Sequence, residues 1–104
     1  MTVFEFKDVL LQCCDAVYHI EGYEEKADFI VWAEVGARTF EADDHRAEET
    51  TLIAVDFFTK KEFSDVPNKL KQAFEEYEIS YKGPDIVYDK DTGRRNFAYT
   101  VELI

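Results

Sequence analysis

Few residues of this chain stand at spacings that could do chemistry, and each such group has a plainer reading beside it. Asp43, Asp44 and His45 lie together and could hold a cation loosely, but a rigid oxygen cage shows alternating carboxylates and a turn glycine. Asp89-Lys90-Asp91-Thr92-Gly93 starts like such a cage. Its lysine and the missing distal glutamate argue against one, and a hairpin turn accounts for every residue. Cys13 and Cys14 are adjacent, without the gap that lets two thiolates grip one zinc, so both are expected in the core as small side chains. His19 and His45 have no second ligand at metal-binding spacing, and both are expected at the surface, His19 on the polar edge of a helix. Ser64 and Ser80 lack the glycine-flanked turn of a hydrolase nucleophile, and the four glycines form no phosphate-cradling loop. Paired carboxylates abound in an acidic chain and carry no weight for acid–base catalysis without a pocket. No catalytic residue, metal site or cofactor is expected, and the chain is not read as an enzyme.

With chemistry so sparse, the elements and the surfaces they present become the subject. The 104 residues suit one domain with one modest core, and 46% apolar content with nine Phe, six Tyr and one Trp is too much for a disordered chain. The net charge of −11, from 23 acidic against 12 basic side chains, disfavours binding to phosphate backbones or anionic membranes. It serves solubility, or forms a surface that lies close to DNA without adhering. Two cysteines give no disulfide framework and the start has no signal-peptide pattern, which points to a reducing, intracellular setting. No apolar run reaches the length of a membrane-spanning helix.

Val3, Phe6, Leu10, Cys13, Val17 and Ile20 recur at helical spacing, widened by Leu11, Cys14 and Tyr18, and predict a first helix. Thr2 and Glu5 form its capping box, and Gly22 is its expected stop. Phe29 to Val35 reads as a strand around Trp32, and Thr50 to Thr59 as a second whose two faces are both largely apolar. That makes it a central strand, or one whose second face meets a partner. Between them, Ala37 to Glu49 is charged and too long for a tight turn: a projecting loop or long β-arm, or else a subunit-contacting or lumen-facing loop. Ser64 or Asp65 caps a second helix with Pro67 in its first turn and a stripe of Val66, Leu70, Ala73, Phe74 and Tyr77. Ile79 to Tyr81 begins an extended segment that Gly83-Pro84 interrupts before Ile86 to Tyr88. The turn Asp89 to Gly93 then leads to a last strand in which Phe97, Tyr99, Val101 and Leu103 take one face. The expected fold is α+β in the order α-β-β-α-β-β, a mostly antiparallel four-stranded sheet with two helices packed on one face.

The segment FIVWAEV, the polar loop reaching Glu41-Ala42-Asp43-Asp44, VDFFTKKEF with its helix, and IVYDKDTGRRNFAYTVELI together resemble the tail terminator, or tail completion, proteins of long-tailed bacteriophages and prophages. The likeness is carried by Val55-Asp56-Phe57-Phe58-Thr59-Lys60 ahead of the second helix, by Tyr88-Asp89-Lys90-Asp91-Thr92-Gly93 ahead of the last strand, and by the order of these patterns. The resemblance implies a structural virion protein that forms a ring, usually a hexamer, at the head-proximal end of the tail tube. There it stops tube polymerisation and docks to the head. The implied partners are further copies of itself, the tail tube protein and a head–tail connector protein. DNA passes through the lumen without specific binding, no membrane is involved, and the place is the virion tail, assembled in the host cytoplasm. A head–tail joining protein of the same gene cluster and an acidic module that mimics DNA are the alternatives.

A closed ring uses one heterologous interface repeated around its axis, so each subunit must carry two different contact faces. Arg38, Glu41, Asp43, Asp44 and Arg46 are the expected subunit or lumen contacts, because opposite charges there can pair between neighbours. Arg94 and Arg95, an adjacent basic pair, are read either as an exposed strand start or as contacts to an acidic patch on a partner.

Overall fold

The computed structural model of the protein describes residues 1–21, 28–41 and 47–104, with the backbone alone for 38–41 and 47–49. The elements run α1 (Val3–Cys13), β1 (Val17–His19), β2 (Asp28–Glu41), β3 (Ala47–Thr59), α2 (Val66–Glu76), β4 (Ser80–Asp89) and β5 (Arg94–Leu103). The fold is α+β, with five strands rather than four, ordered β1-β2-β3-β5-β4. Every neighbouring pair is antiparallel except β1 with β2, which is parallel.

The fifth strand comes out of the expected first helix. Thr2 accepts from the Glu5 N–H and Glu5 accepts from the Thr2 N–H, as the capping box requires. The helix then ends at Cys13, where Cys14 turns extended (φ −151°). Val17 and Tyr18, which continue the helical spacing, instead pair with Ile30 and Val31 of β2, and Ile20 is exposed at a positive φ of 73°. Leu11 is exposed rather than part of the stripe, and Val9 takes the buried place beside Phe6, Leu10 and Cys13. Gly22 lies outside the described residues.

The charged segment from Ala37, expected as a projecting loop or long β-arm, is strand as far as Glu41 and again from Ala47. β2 and β3 stay paired from Asp28↔Thr59 to Glu41↔Ala47, with a bulge between Glu34 and Gly36. β5 pairs with β3 only as far as Thr51↔Leu103, so the last paired residues, Arg38↔Thr50 to Glu41↔Ala47, form a two-stranded ribbon beyond the sheet. The long β-arm is therefore the arrangement present, and the molecule is elongated, 51 × 25 × 19 Å.

α1 and α2 cover one face of the sheet. Phe6, Val9 and Leu10 from α1 and Val66, Leu70, Ala73 and Phe74 from α2 close a core over Ile30, Trp32, Ile53, Val55, Phe57, Tyr99, Val101 and Leu103. Phe74 is its hub, with ring centroids 5.0 Å from Tyr81, 6.0 Å from Tyr99 and 6.2 Å from Phe6. Cys13 and Cys14 are buried and unbridged, as expected of core residues. Pro67 opens α2, and Tyr77 caps its end at the surface, its hydroxyl 3.3 Å from the Gln12 amide. Among the described residues no helix is long and apolar enough to cross a membrane.

Candidate assembly surfaces

Three places on this frame hold side chains or backbone that the fold itself leaves unsatisfied: the outer edge of β4, the outer edge of β2, and the sheet face away from the helices. β4 is an edge strand, hydrogen-bonded on one side to β5 and on the other to no strand of the described chain. Successive side chains of a strand point to opposite faces, so a one-faced edge strand alternates apolar and polar. Ile86, Val87 and Tyr88 do not alternate, and they are 58%, 62% and 54% exposed. Unprotected apolar edges invite another strand, and proteins usually blunt them with charge, proline or bulges. Here the bulge between Lys82 and Asp85 and Pro84 interrupt the first half of β4 only. The Asp89–Gly93 turn closes the second half: Asp89 Oδ1 accepts from Asp91 N at 2.9 Å, Asp89 O from Gly93 N at 2.8 Å, and Gly93 takes φ 71°.

At the opposite edge, β1 shields β2 only over Ile30 to Trp32. His19 fastens that short contact. Its Nε2 lies 2.6 Å from Glu34 Oε1 and its ring stacks on Trp32 at 4.2 Å, so His19 is a surface residue as expected, but on a strand rather than a helix. Beyond Trp32 no strand of the described residues pairs with that edge of β2, and Val35 is exposed at the bulge.

Of the expected contact residues, Arg38 and Glu41 stand on β2 in the projecting ribbon, opposite Thr50 and Ala47. Asp43, Asp44 and Arg46 lie outside the described residues, as does His45. Arg94 and Arg95 begin β5, but Arg94 is only 8% exposed, which overturns its reading as an exposed strand start. Its guanidinium covers the Phe29 ring, 5.5 Å from the centroid, so the apolar ring shields it. Arg95 is half-buried across Tyr88 and donates to the Lys61 carbonyl at 3.2 Å. A neighbouring cluster locks the same end of the sheet: Thr59 Oγ1 donates to Asp28 Oδ1 at 2.6 Å, and Lys61 Nζ sits 3.2 Å from Asp28 Oδ2.

The uncovered sheet face carries a cavity of about 680 Å³, walled by Phe29, Val31, Phe58, Val87 and Tyr88, with Asp56 and Asn96 in its floor and Lys90, Thr92 and Arg94 toward the hairpin. Burial pushes the Asp56 carboxyl above its usual range, opposed by a hydrogen bond from Asn96. A smaller cleft of about 240 Å³ runs past Cys13, Cys14, Asp28, Asp65 and Lys69. Burial pushes both thiols up there, away from the thiolate a nucleophile needs. Among the described residues no group of three or more His, Cys, Asp or Glu could hold a metal ion. Two signals of these surfaces stand in the sequence: the non-alternating Ile86-Val87-Tyr88 and the single charge, Asp56, inside the apolar run Leu52 to Phe58.

Compared with models of known protein families and with curated proteins, the sequence matches none.

Proposed function

We propose that the protein is a structural assembly protein of a phage or prophage tail, of the tail-terminator kind, whose copies close into a ring at the head-proximal end of the tail tube. The observation that carries this reading is the pair of unlike sheet edges that no strand of the described residues covers: the apolar edge of β4 and the edge of β2 beyond Trp32 with its projecting ribbon. A head-to-tail contact needs two different faces on each subunit, and these edges supply them at opposite sides of the molecule. Main-chain hydrogen bonds across such a junction give affinity, and Ile86 and its neighbours add apolar burial, about 1.5–3 kcal/mol for each large side chain fully covered. Arg38 and Glu41, on the ribbon's backbone, are the residues assigned in this reading to a neighbour or the lumen. A net charge of −11 gives a ring whose lumen passes DNA without holding it. The sequence resemblance to tail terminators supplies the location on the tail.

The test is assembly. Purified protein, alone at high concentration and mixed with the tail tube protein of the same gene cluster, is expected to give rings in negative-stain electron micrographs. Ile86→Lys places a charge on the β4 edge and is expected to abolish them while leaving the folded monomer intact. A wild-type protein that stays monomeric under both conditions contradicts the proposal. A DNA-mimicking module would instead compete with DNA for a nucleic-acid-binding protein without forming rings.

A further inference from the structure

On the sheet face away from the helices, the cavity is short of hydrogen-bond donors at its Asp56 end among the described residues. Asp56 stands in mid-sheet, opposite Val31 on β2 and Ala98 on β5, and shares its face with Ala54 and Phe58. A carboxylate among apolar neighbours loses water and needs replacement donors. Among the described residues its side-chain hydrogen bond comes from the amide of Asn96, two pairs along the sheet. That amide's own oxygen is shut away from solvent with no hydrogen-bond partner among the described residues. Two acceptors therefore share a floor with a single donor group.

The walls indicate what supplies the missing donors. Phe29 and Phe58 stack at 4.9 Å and Val31 lies beside Asp56, a surface suited to methylene groups and to the flat side of a cation. The chain already uses that surface in this way, because Arg94 lays its guanidinium over Phe29. Arg94 and Lys90 sit toward the hairpin. The Arg94 guanidinium stays over Phe29, two residues along β2 from Val31, the partner of Asp56.

We propose that this cavity receives one basic side chain, a lysine or arginine presented by a protein partner, with its cation on Asp56 and its stem along Phe58 and Val31. Ammonium carries three donors and guanidinium five, which suits a half-buried carboxylate with lone pairs left over. The source is a protein rather than a free amine because the site is open along the sheet face. A side chain held on a facing surface arrives already oriented, which lowers the ordering cost of binding at an open site. The charge of −11 favours a partner of opposite sign. This inference rests on the sheet face alone and is independent of ring assembly.

The test is a titration of the full chain followed by amide chemical shifts, with Nα-acetyl-arginine methylamide as probe and its uncharged isostere, Nα-acetyl-citrulline methylamide, as control. The arginine probe is expected to shift Val31, Asp56, Phe58 and Asn96 saturably, with at least fivefold higher affinity than the citrulline probe. Asp56→Asn is expected to remove that difference. Equal response to the two probes, no response at those residues, or an undiminished response in Asp56→Asn overturns the proposal. So does spermidine binding at the same residues more tightly than the arginine probe, which would make the site one for free amines. If the variant does not fold, the comparison of probes on the wild-type chain decides.

Discussion

Asp56 and Gly83 are two residues whose surroundings make opposite demands. Burial raises the native pKa of Asp56 above its ordinary 3.8. The native state thus holds the proton more tightly than the unfolded chain does. The resulting stability is full below pH 3.8 and is lost as pH rises through the native pKa, so at neutral pH the ionised carboxylate weighs against the fold. Asp56→Asn is expected to be more stable than wild type at pH 7, with the gap closing below pH 3.8. Urea titrations across that range check the sign, and a gap that persists in acid contradicts it. Gly83 takes φ 112°, and a Cβ there would meet the Ala98 carbonyl oxygen at 2.6 Å. The residue sits where β4 breaks register against β5, so neither backbone can yield without losing pairing. Gly83→Ala is expected to cost about 2 kcal/mol or more in denaturant melts. At this scale much was legible: the Asp89–Gly93 turn, the Thr2–Glu5 box and the burial of the two cysteines follow from local chemistry. The burial of Arg94 was not, because the Phe29 ring that covers it arrives from a strand far away in sequence.

Among the elements, those that fix themselves locally match the expected pattern. α2 buries Val66, Leu70, Ala73 and Phe74 as its spacing requires, and β5 turns Tyr99, Val101 and Leu103 into the core. Phe74 joins both helices to the sheet through Phe6, Tyr81 and Tyr99. Phe74→Ala is therefore expected to lower stability by about 3–5 kcal/mol, a large share of a small domain's total. A loss under 1 kcal/mol would show that the ring cluster does not hold the layers together. α1 shows where local reading fails. Val17 and Tyr18 keep a 3.6-residue period, yet pairing with Ile30 and Val31 draws them into β1, an outcome set by a strand that the helix pattern cannot see. For the segment from Ala37, charge and length left a projecting loop and a long β-arm both open, and cross-strand pairing that carries β2 on to Glu41 decides for the arm. Ile86 to Tyr88 combines both lessons, since its apolar run was visible but its place at a sheet edge follows only from strand order.

At the scale of the molecule, the helices close the core on one face of the sheet, and among the described residues the other face and two unlike edges carry no further element. The ring proposal gives those edges and the charge of −11 their use. The measurement that bears most directly on ring assembly is the mass in solution of wild type and Ile86→Lys, by light scattering, with and without the tail tube protein. Closed assemblies several times the 12.2 kDa chain are expected for wild type, and the monomer for the variant. A wild-type chain that remains at 12.2 kDa in every condition, or a variant that assembles as well as wild type, would contradict the account.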